Sequence, residues 1–210
     1  MKIFVLTSCV ASKKYSISDI KEVLDKHNLP IPTDDLENEQ KYKEVLKDFI
    51  LPAFQMYEGS FKYIRDLVTN LRKRGNKVDF YIISARYGLI NENTLIIPYE
   101  FTFKGLRKKE IRERAEKLKI YENLINLIRN YEYDRSIIIL GNDYLLTIFD
   151  KSKSKNFFKI IKSKQFVIFG SKKLKNRIGL PQKNLKLITV SGLGDRNKKI
   201  KEYIKNSVQQ

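Results

Sequence analysis

The sequence predicts an α/β fold, a single layered domain over residues 1–210 with a mostly parallel central sheet flanked by helices. Short apolar runs rich in β-branched residues recur along the chain, the pattern of strands buried on both faces. Helical periodicities separate them, as parallel crossovers require. No internal repeat or low-complexity linker divides the 210 residues, and completing the sheet needs strands from both sides of every candidate boundary.

In chain order, Ile3–Thr7 (IFVLT) reads as the first strand and Ser18–His27 as a helix with Ser18 as its N-cap. His27 then falls at the helix end, where the dipole favours it. The stretch 28–39 (NLPIPTDDLENE) predicts a loop or insertion, followed by helices over 38–49 and 52–74. The second of these has Pro52 in its first turn and Gly75 just past its end. Phe80–Ser84 (FYIIS) is the second strand. Residues 105–130 form the longest helical pattern, with Leu106, Ile111, Ala115, Leu118, Tyr121, Leu124, Ile125 and Ile128 on one face. Ile137–Leu140, Phe166–Phe169 and Leu185–Val190 complete the strands, and helices are predicted over 143–149 and 195–206. The basic stretch 151–164 (KSKSKNFFKIIKSK) reads as a surface helix or a mobile segment, with Phe157 and Phe158 on a core face.

Composition narrows the function. At 42% hydrophobic and 31% charged residues, the chain has material for a packed core. No apolar run approaches the roughly 20 residues of a membrane helix, and the start reads as a buried strand rather than a secretory signal. With one cysteine (Cys9) and one histidine (His27), neither an internal disulfide nor a Cys- or His-clustered metal site is expected, nor any cofactor. A reduced, cytoplasmic setting is the simplest expectation.

The net charge of +18 is unevenly spread. Residues 1–100 hold 15 basic and 14 acidic side chains, residues 101–150 hold 10 and 8, and residues 151–210 hold 17 and 2. A biased genome or hot-growing host explains a high lysine total but not this segregation, because Glu normally rises with Lys. The self-repulsion of the final part points to an anionic partner, nucleic acid before a membrane surface.

Four stretches depart from a generic fold. Thr7 to Tyr15 (TSCVASKKY) leaves the first strand, where α/β proteins place ligands; small residues there let backbone N–H groups approach, and Lys13 and Lys14 neutralise a phosphate. It is not a Walker motif, so triphosphate hydrolysis is not supported. Met56 to Phe61 (MYEGSF) places Gly59 inside a helical pattern. Ile83 to Leu89 (ISARYGL), followed by Pro98 and Tyr99, leaves the second strand. Ser191 to Arg196 (SGLGDR) sits before the last helix, where two glycines suit an anion site.

These residues resemble known families. Ile83–Leu89 with Pro98 and Tyr99 is similar to a segment of the YaaA peroxide-stress family, and Tyr57-Glu58-Gly59 resembles its earlier Y-x-G. The order S-C-x-x-x-K, L-Y-x-G-x-x-F, S-A-x-x-G-L, P-Y and a final G-L-G resembles a related domain family of prokaryotes and phages more closely. The resemblance spans residues 6–103 and touches 191–195. It implies a uracil-DNA-glycosylase-like α/β outline, DNA binding rather than RNA binding, and modified-base chemistry. Glu100 stands where YaaA has Arg after P-Y, and the G-x-D-P-Y water-activating motif of glycosylases is absent, so the resemblance does not itself carry direct base excision over to this chain.

The ligand-pocket candidates are Ser8, Cys9, Lys13, Tyr57, Gly59, Ser84, Arg86, Tyr87, Tyr99 and Asn142. Arg86 offers a planar fork for a phosphate and Tyr87 a ring for a base. Cys9 is more often core than nucleophile, and Asp143 serves equally as a helix cap or a ribose ligand. Lys172, Lys173, Lys175, Arg177, Arg196 and Lys198 are candidates for contacting a nucleic-acid backbone. The expected function is nucleic-acid-associated, with a strand-end pocket for a base and, if the protein is an enzyme, cleavage or exchange at a glycosidic bond as the reaction class. A non-enzymatic DNA-protecting protein and an enzyme of free nucleotides or sugar phosphates are the alternatives.

Overall fold

A computed structural model describes residues 1–149, 157–174 and 184–206. In chain order the elements are β1 (Lys2–Ser8), α1 (Ile17–Lys26), α2 (Glu39–Val45), β2 (Leu51–Pro52), α3 (Ala53–Met56), α4 (Phe61–Lys73), β3 (Lys77–Ser84), β4 (Gly88–Asn91) and β5 (Leu95–Ile96). There follow α5 (Lys108–Lys117), α6 (Ile120–Ile128), β6 (Glu132–Ile139), α7 (Asn142–Leu145), α8 (Phe157–Ile160), β7 (Lys162–Gly170), β8 (Leu185–Thr189) and α9 (Leu193–Asn206).

The central sheet has the order β4-β3-β1-β6-β7-β8. Its β3, β1, β6, β7 and β8 strands are parallel, and β4 folds back antiparallel on β3. Each of the five apolar runs forms one of these parallel strands. β4 has no such signature, because its four residues are few and begin on Gly88 itself, whose φ is +79°. One sheet face packs on α3, α4 and α9: Phe80 meets Phe54 and Phe61, and Phe169 meets Tyr203 edge-on. The other face packs on α8, where Phe4 meets Phe157 and Phe166 meets Phe158. Both phenylalanines of the basic stretch are therefore core; its residues 151–156 lie outside the described residues. A smaller core of Ile20, Leu24, Tyr42, Leu46 and Ile97 joins α1 and α2.

Two long helical patterns are broken, each for a tertiary reason. The pattern over 52–74 stops at Tyr57 because the turn after β1 takes its backbone groups: Lys14 N–H donates to Met56 O at 2.7 Å and Glu58 N–H to Ser12 O at 3.0 Å. Gly59 (φ +62°) then lies so close that a Cβ would sit 3.1 Å from Ser12 Oγ. The pattern over 105–130 breaks at Lys119, which is left-handed at φ 49°. That break brings Leu118 O to Gly88, where a Cβ would stand 3.1 Å from it. Two caps also shift. Ser16, not Ser18, caps α1, in a capping box with Asp19, and Gly141, not Asp143, precedes α7. His27 is the C-cap of α1.

The strand order reverses between β1 and β6. β1 feeds β3 on one side, and the later strands add on the other. In such sheets the loops leaving the two flanking strands diverge above their carboxyl ends and open a crevice. The turn after β1 and the Gly141–Asn142 turn after β6 border it.

Candidate functional site

A cavity of about 410 Å³ lies beside this crevice, lined by Ala11, Ser12, Lys13, Tyr15, Ser16, Ile17 and Tyr99 to Thr102. Two segments build it: the turn from β1 into α1, and the stretch after β5. Tyr57 locks the first segment by bridging to Lys13. The second is pinned where Glu100 N–H donates to Pro32 O at 2.8 Å.

Lys13 is the cation of this cavity. Its Nζ stands 3.9 Å from the Tyr99 ring centroid and donates to Ala11 O at 3.0 Å. Burial lowers its pKa to about 8, against the pull of Cys9 and Glu100. Its ammonium therefore persists at neutral pH, half-desolvated and without a carboxylate in ion-pair contact among the described residues. Tyr15 and Phe101 contribute half-buried rings. A cation beside flat apolar walls can receive a planar anionic group.

Below the cavity lies a buried hydroxyl chain. The Tyr57 and Tyr99 hydroxyls are 2.8 Å apart, and Tyr99 reaches Ser84 Oγ at 3.0 Å. Ser84 Oγ in turn accepts Tyr87 N–H at 3.1 Å. Both tyrosines are fully buried, and burial first of all raises their pKa well above the ordinary value. Cys9 Sγ lies 3.0 Å from the Tyr144 hydroxyl, also buried. Ser8 is buried at the end of β1, Gly59 is exposed beside Ser12, and Asn142 is exposed at the start of α7. Tyr57, Ser84 and Tyr99 thus support the cavity floor, and only Lys13 and Tyr99 among the ten pocket candidates line it.

Arg86 and Tyr87 are turned to another task. Arg86 is fully buried, and its guanidinium donates to Thr33 O, to Asp35 Oδ1 at 2.7 Å and to Glu39 Oε2 at 2.8 Å. Two carboxylates of the chain itself stand where the fork was expected to hold a phosphate. Tyr87 donates its hydroxyl to Glu39 at 3.0 Å, and its ring meets Tyr99 edge-on at 5.5 Å. Burial works to raise the Asp35 pKa, yet the Tyr42 hydroxyl and Arg86 together hold it well below the usual carboxylate range. Arg114 closes the network from α5, donating to Ala85 O at 3.2 Å and Arg86 O at 3.1 Å. The network ties the 28–39 loop to the end of β3.

The basic candidates divide likewise. Lys172 and Lys173 are exposed just beyond β7, on the same sheet edge as Lys13. With strands about 4.8 Å apart, β7 lies roughly 10 Å from β1 along that edge. Lys198 is exposed on α9, whereas Arg196 is half-buried and burial lowers its pKa. At the start of α9, Asp195 accepts Ser191 N–H at 2.9 Å, so a side chain already holds the place proposed there for an anion. Lys175 and Arg177 lie outside the described residues.

Sequence reasoning missed Phe101 and Thr102, which directly follow Pro98 to Glu100, and quoted Tyr15 as the end of the turn carrying Lys13 without naming it a pocket residue.

Comparison with known proteins places part of this architecture in a family. No curated protein and no solved structure matches the chain. Residues 44–172, more than half of it, match the model of DUF6884, described as a family of unknown function. The match takes in Tyr57, Gly59, the Ser84–Gly88 turn, Tyr99 and Asn142, which is to say the floor of the cavity and Arg86 itself, whereas Lys13 and the Arg86 partners Asp35 and Glu39 lie before it. The chain belongs to the DUF6884 family.

Proposed function

We propose that the carboxyl edge of the sheet binds nucleic acid, with one nucleotide unit seated in the Lys13 cavity and neighbouring phosphates on Lys172 and Lys173. The observation that carries this reading is the Lys13 ammonium, held 3.9 Å over Tyr99 in a cavity beside the point of strand-order reversal. The excess of 17 basic over 2 acidic residues in 151–210 supports a polyanion over a small neutral ligand. Tyr15 and Phe101 supply aromatic surface of the kind on which bases stack.

If the protein is an enzyme, the reaction class that suits the cavity is hydrolysis or base exchange at a glycosidic bond: the C1′–N bond breaks with its electron pair going to the base, water or an incoming base bonds to C1′, and the proton that this nucleophile releases goes to the departed base. The negative charge that develops on the leaving base is what a fixed, half-desolvated ammonium stabilises.

Fluorescence anisotropy with duplex DNA, single-stranded DNA and RNA at several salt concentrations tests the binding. The expected result is a steep salt slope, tighter binding of DNA than of RNA, and loss of affinity in Lys13→Gln. Chromatographic detection of freed base in the same samples tests the chemistry. Salt-independent binding confined to free nucleotides favours a small-molecule enzyme instead and removes the nucleic-acid reading.

A further inference from the structure

A second cavity, unrelated to the Lys13 pocket, lies between the β6–β7–β8 face and α9, with a volume of about 320 Å³. Helix-covered faces of parallel sheets are ordinarily apolar. Here Arg135 stands beside Gln165 in strand register, and Lys186 stands beside Val167 one pair further on. All of them turn toward α9, which contributes Lys199, Glu202 and Tyr203.

The charges of this cavity do not balance. Lys199 pairs with Glu202 at 3.2 Å. Arg135 donates Nη1 to the Tyr203 hydroxyl at 3.2 Å, while its Nε is buried without an acceptor among the described residues. Lys186 has the Tyr203 ring at 5.9 Å and no carboxylate in contact among the described residues. Three cations thus line a concavity that holds one carboxylate, itself taken by Lys199. Like charges in a recess with low-dielectric walls focus a positive potential and favour an anion there.

We propose that this cavity binds a terminal phosphate group, the dianion of a phosphomonoester or of inorganic phosphate. A phosphate supplies the missing negative charge, and its several oxygens serve the Arg135 fork and the Lys186 ammonium together. The recess lies beneath a helix and against mid-strand positions. It therefore suits a chain end or small molecule, whereas a continuous phosphodiester strand needs an open track. The proposal stands apart from the nucleic-acid reading, because it uses different residues on a different part of the sheet.

Isothermal titration of the whole chain with inorganic phosphate, against chloride at matched ionic strength, tests it. The expected result is saturable binding, weakened about tenfold in Arg135→Gln and in Lys186→Gln, as loss of a charged hydrogen bond predicts. Lys186 is exposed on an edge strand, so its variant carries the test even where Arg135→Gln fails to fold. Equal phosphate affinity in wild type and Lys186→Gln overturns the proposal, as does the absence of saturable binding. Competition then identifies the source. A 5′-phosphorylated oligonucleotide that displaces phosphate where its 5′-hydroxyl counterpart does not indicates a chain end. Displacement by a nucleoside monophosphate alone indicates a small molecule.

Discussion

Lys13 and Arg86 leave neighbouring parallel strands at the same edge of the sheet, and both carry a positive charge into a turn of small and aromatic residues. Their surroundings are opposite. Arg86 is sealed from solvent and neutralised by Asp35 and Glu39, delivered by a loop some fifty residues away. Lys13 has a ring and a carbonyl for partners and faces a cavity. A cation at a strand end becomes a structural clamp or a ligand contact according to whether the fold brings it carboxylates.

The sharpest way to break this comparison is Arg86→Met. Removing one member of a buried, hydrogen-bonded ion network leaves the others uncompensated, at a cost of about 3–5 kcal/mol. In a chain of this size that lowers the melting temperature by roughly 10 °C. Thermal denaturation followed by circular dichroism measures it. Acid should expose the same network. The Asp35 pKa is depressed in the folded state, so its stabilisation is complete above the ordinary carboxylate value and is lost as pH falls through the folded one. Asp35→Asn removes that part of the acid sensitivity. A melting temperature unmoved by Arg86→Met would show that the clamp carries no stability.

Lys13→Gln should have the contrasting phenotype, a folded protein with nucleic-acid affinity reduced about tenfold or more. The pH profile separates charge from shape. As pH rises from 7 to 9 the Lys13 ammonium loses its proton near 8, and wild-type affinity should fall over that range while the variant stays flat. Stability moves the other way. Between about 8 and the ordinary 10.5 the unfolded chain holds a proton that the folded chain has released, so folding stability rises with pH there. Parallel titrations of binding and melting temperature distinguish the two.

The same contrast explains what could be read from the residues alone. The five parallel strands were legible because β-branched apolar runs such as Ile137–Leu140 fit few other places, even though the edge strand β8 is only partly covered. The helix breaks at Tyr57 and Lys119 were not, since local periodicity continues through both and the interruption comes from partners distant in sequence. The turns after β1 and β3 were recognisable as unusual from their small, aromatic and cationic residues. Their assignment to ligand or clamp depended on Asp35 and Glu39, in a loop whose spacing carries no signal for Arg86. Phe101 escaped notice, and Tyr15 was not singled out within its turn, because a half-buried aromatic reads as core in one dimension.

Tyr87→Phe probes the boundary between the two regions, since its hydroxyl serves Glu39 while its ring touches Tyr99. Loss of a hydrogen bond to a charged acceptor costs about 1.5–3 kcal/mol in general, and the half-buried position favours the lower end. Melting temperature should fall by a few degrees with oligonucleotide affinity unchanged. A large loss of affinity with intact stability would assign Tyr87 to the ligand instead.

The smallest effect belongs to Lys172 and Lys173, exposed beyond β7 without a carboxylate among the described residues. A lysine that meets only phosphate adds affinity without reading sequence. Replacing both with Gln should therefore weaken binding to every duplex by the same factor. Each lost contact with duplex DNA lowers the salt slope by about 0.9, so the pair should reduce it by about 1.8. Anisotropy titrations at four salt concentrations resolve that difference. A slope equal to wild type would remove these two lysines from the interface, while leaving the Lys13 cavity to be judged by its own pH profile. A loss confined to particular sequences would mean that they reach base edges rather than phosphates.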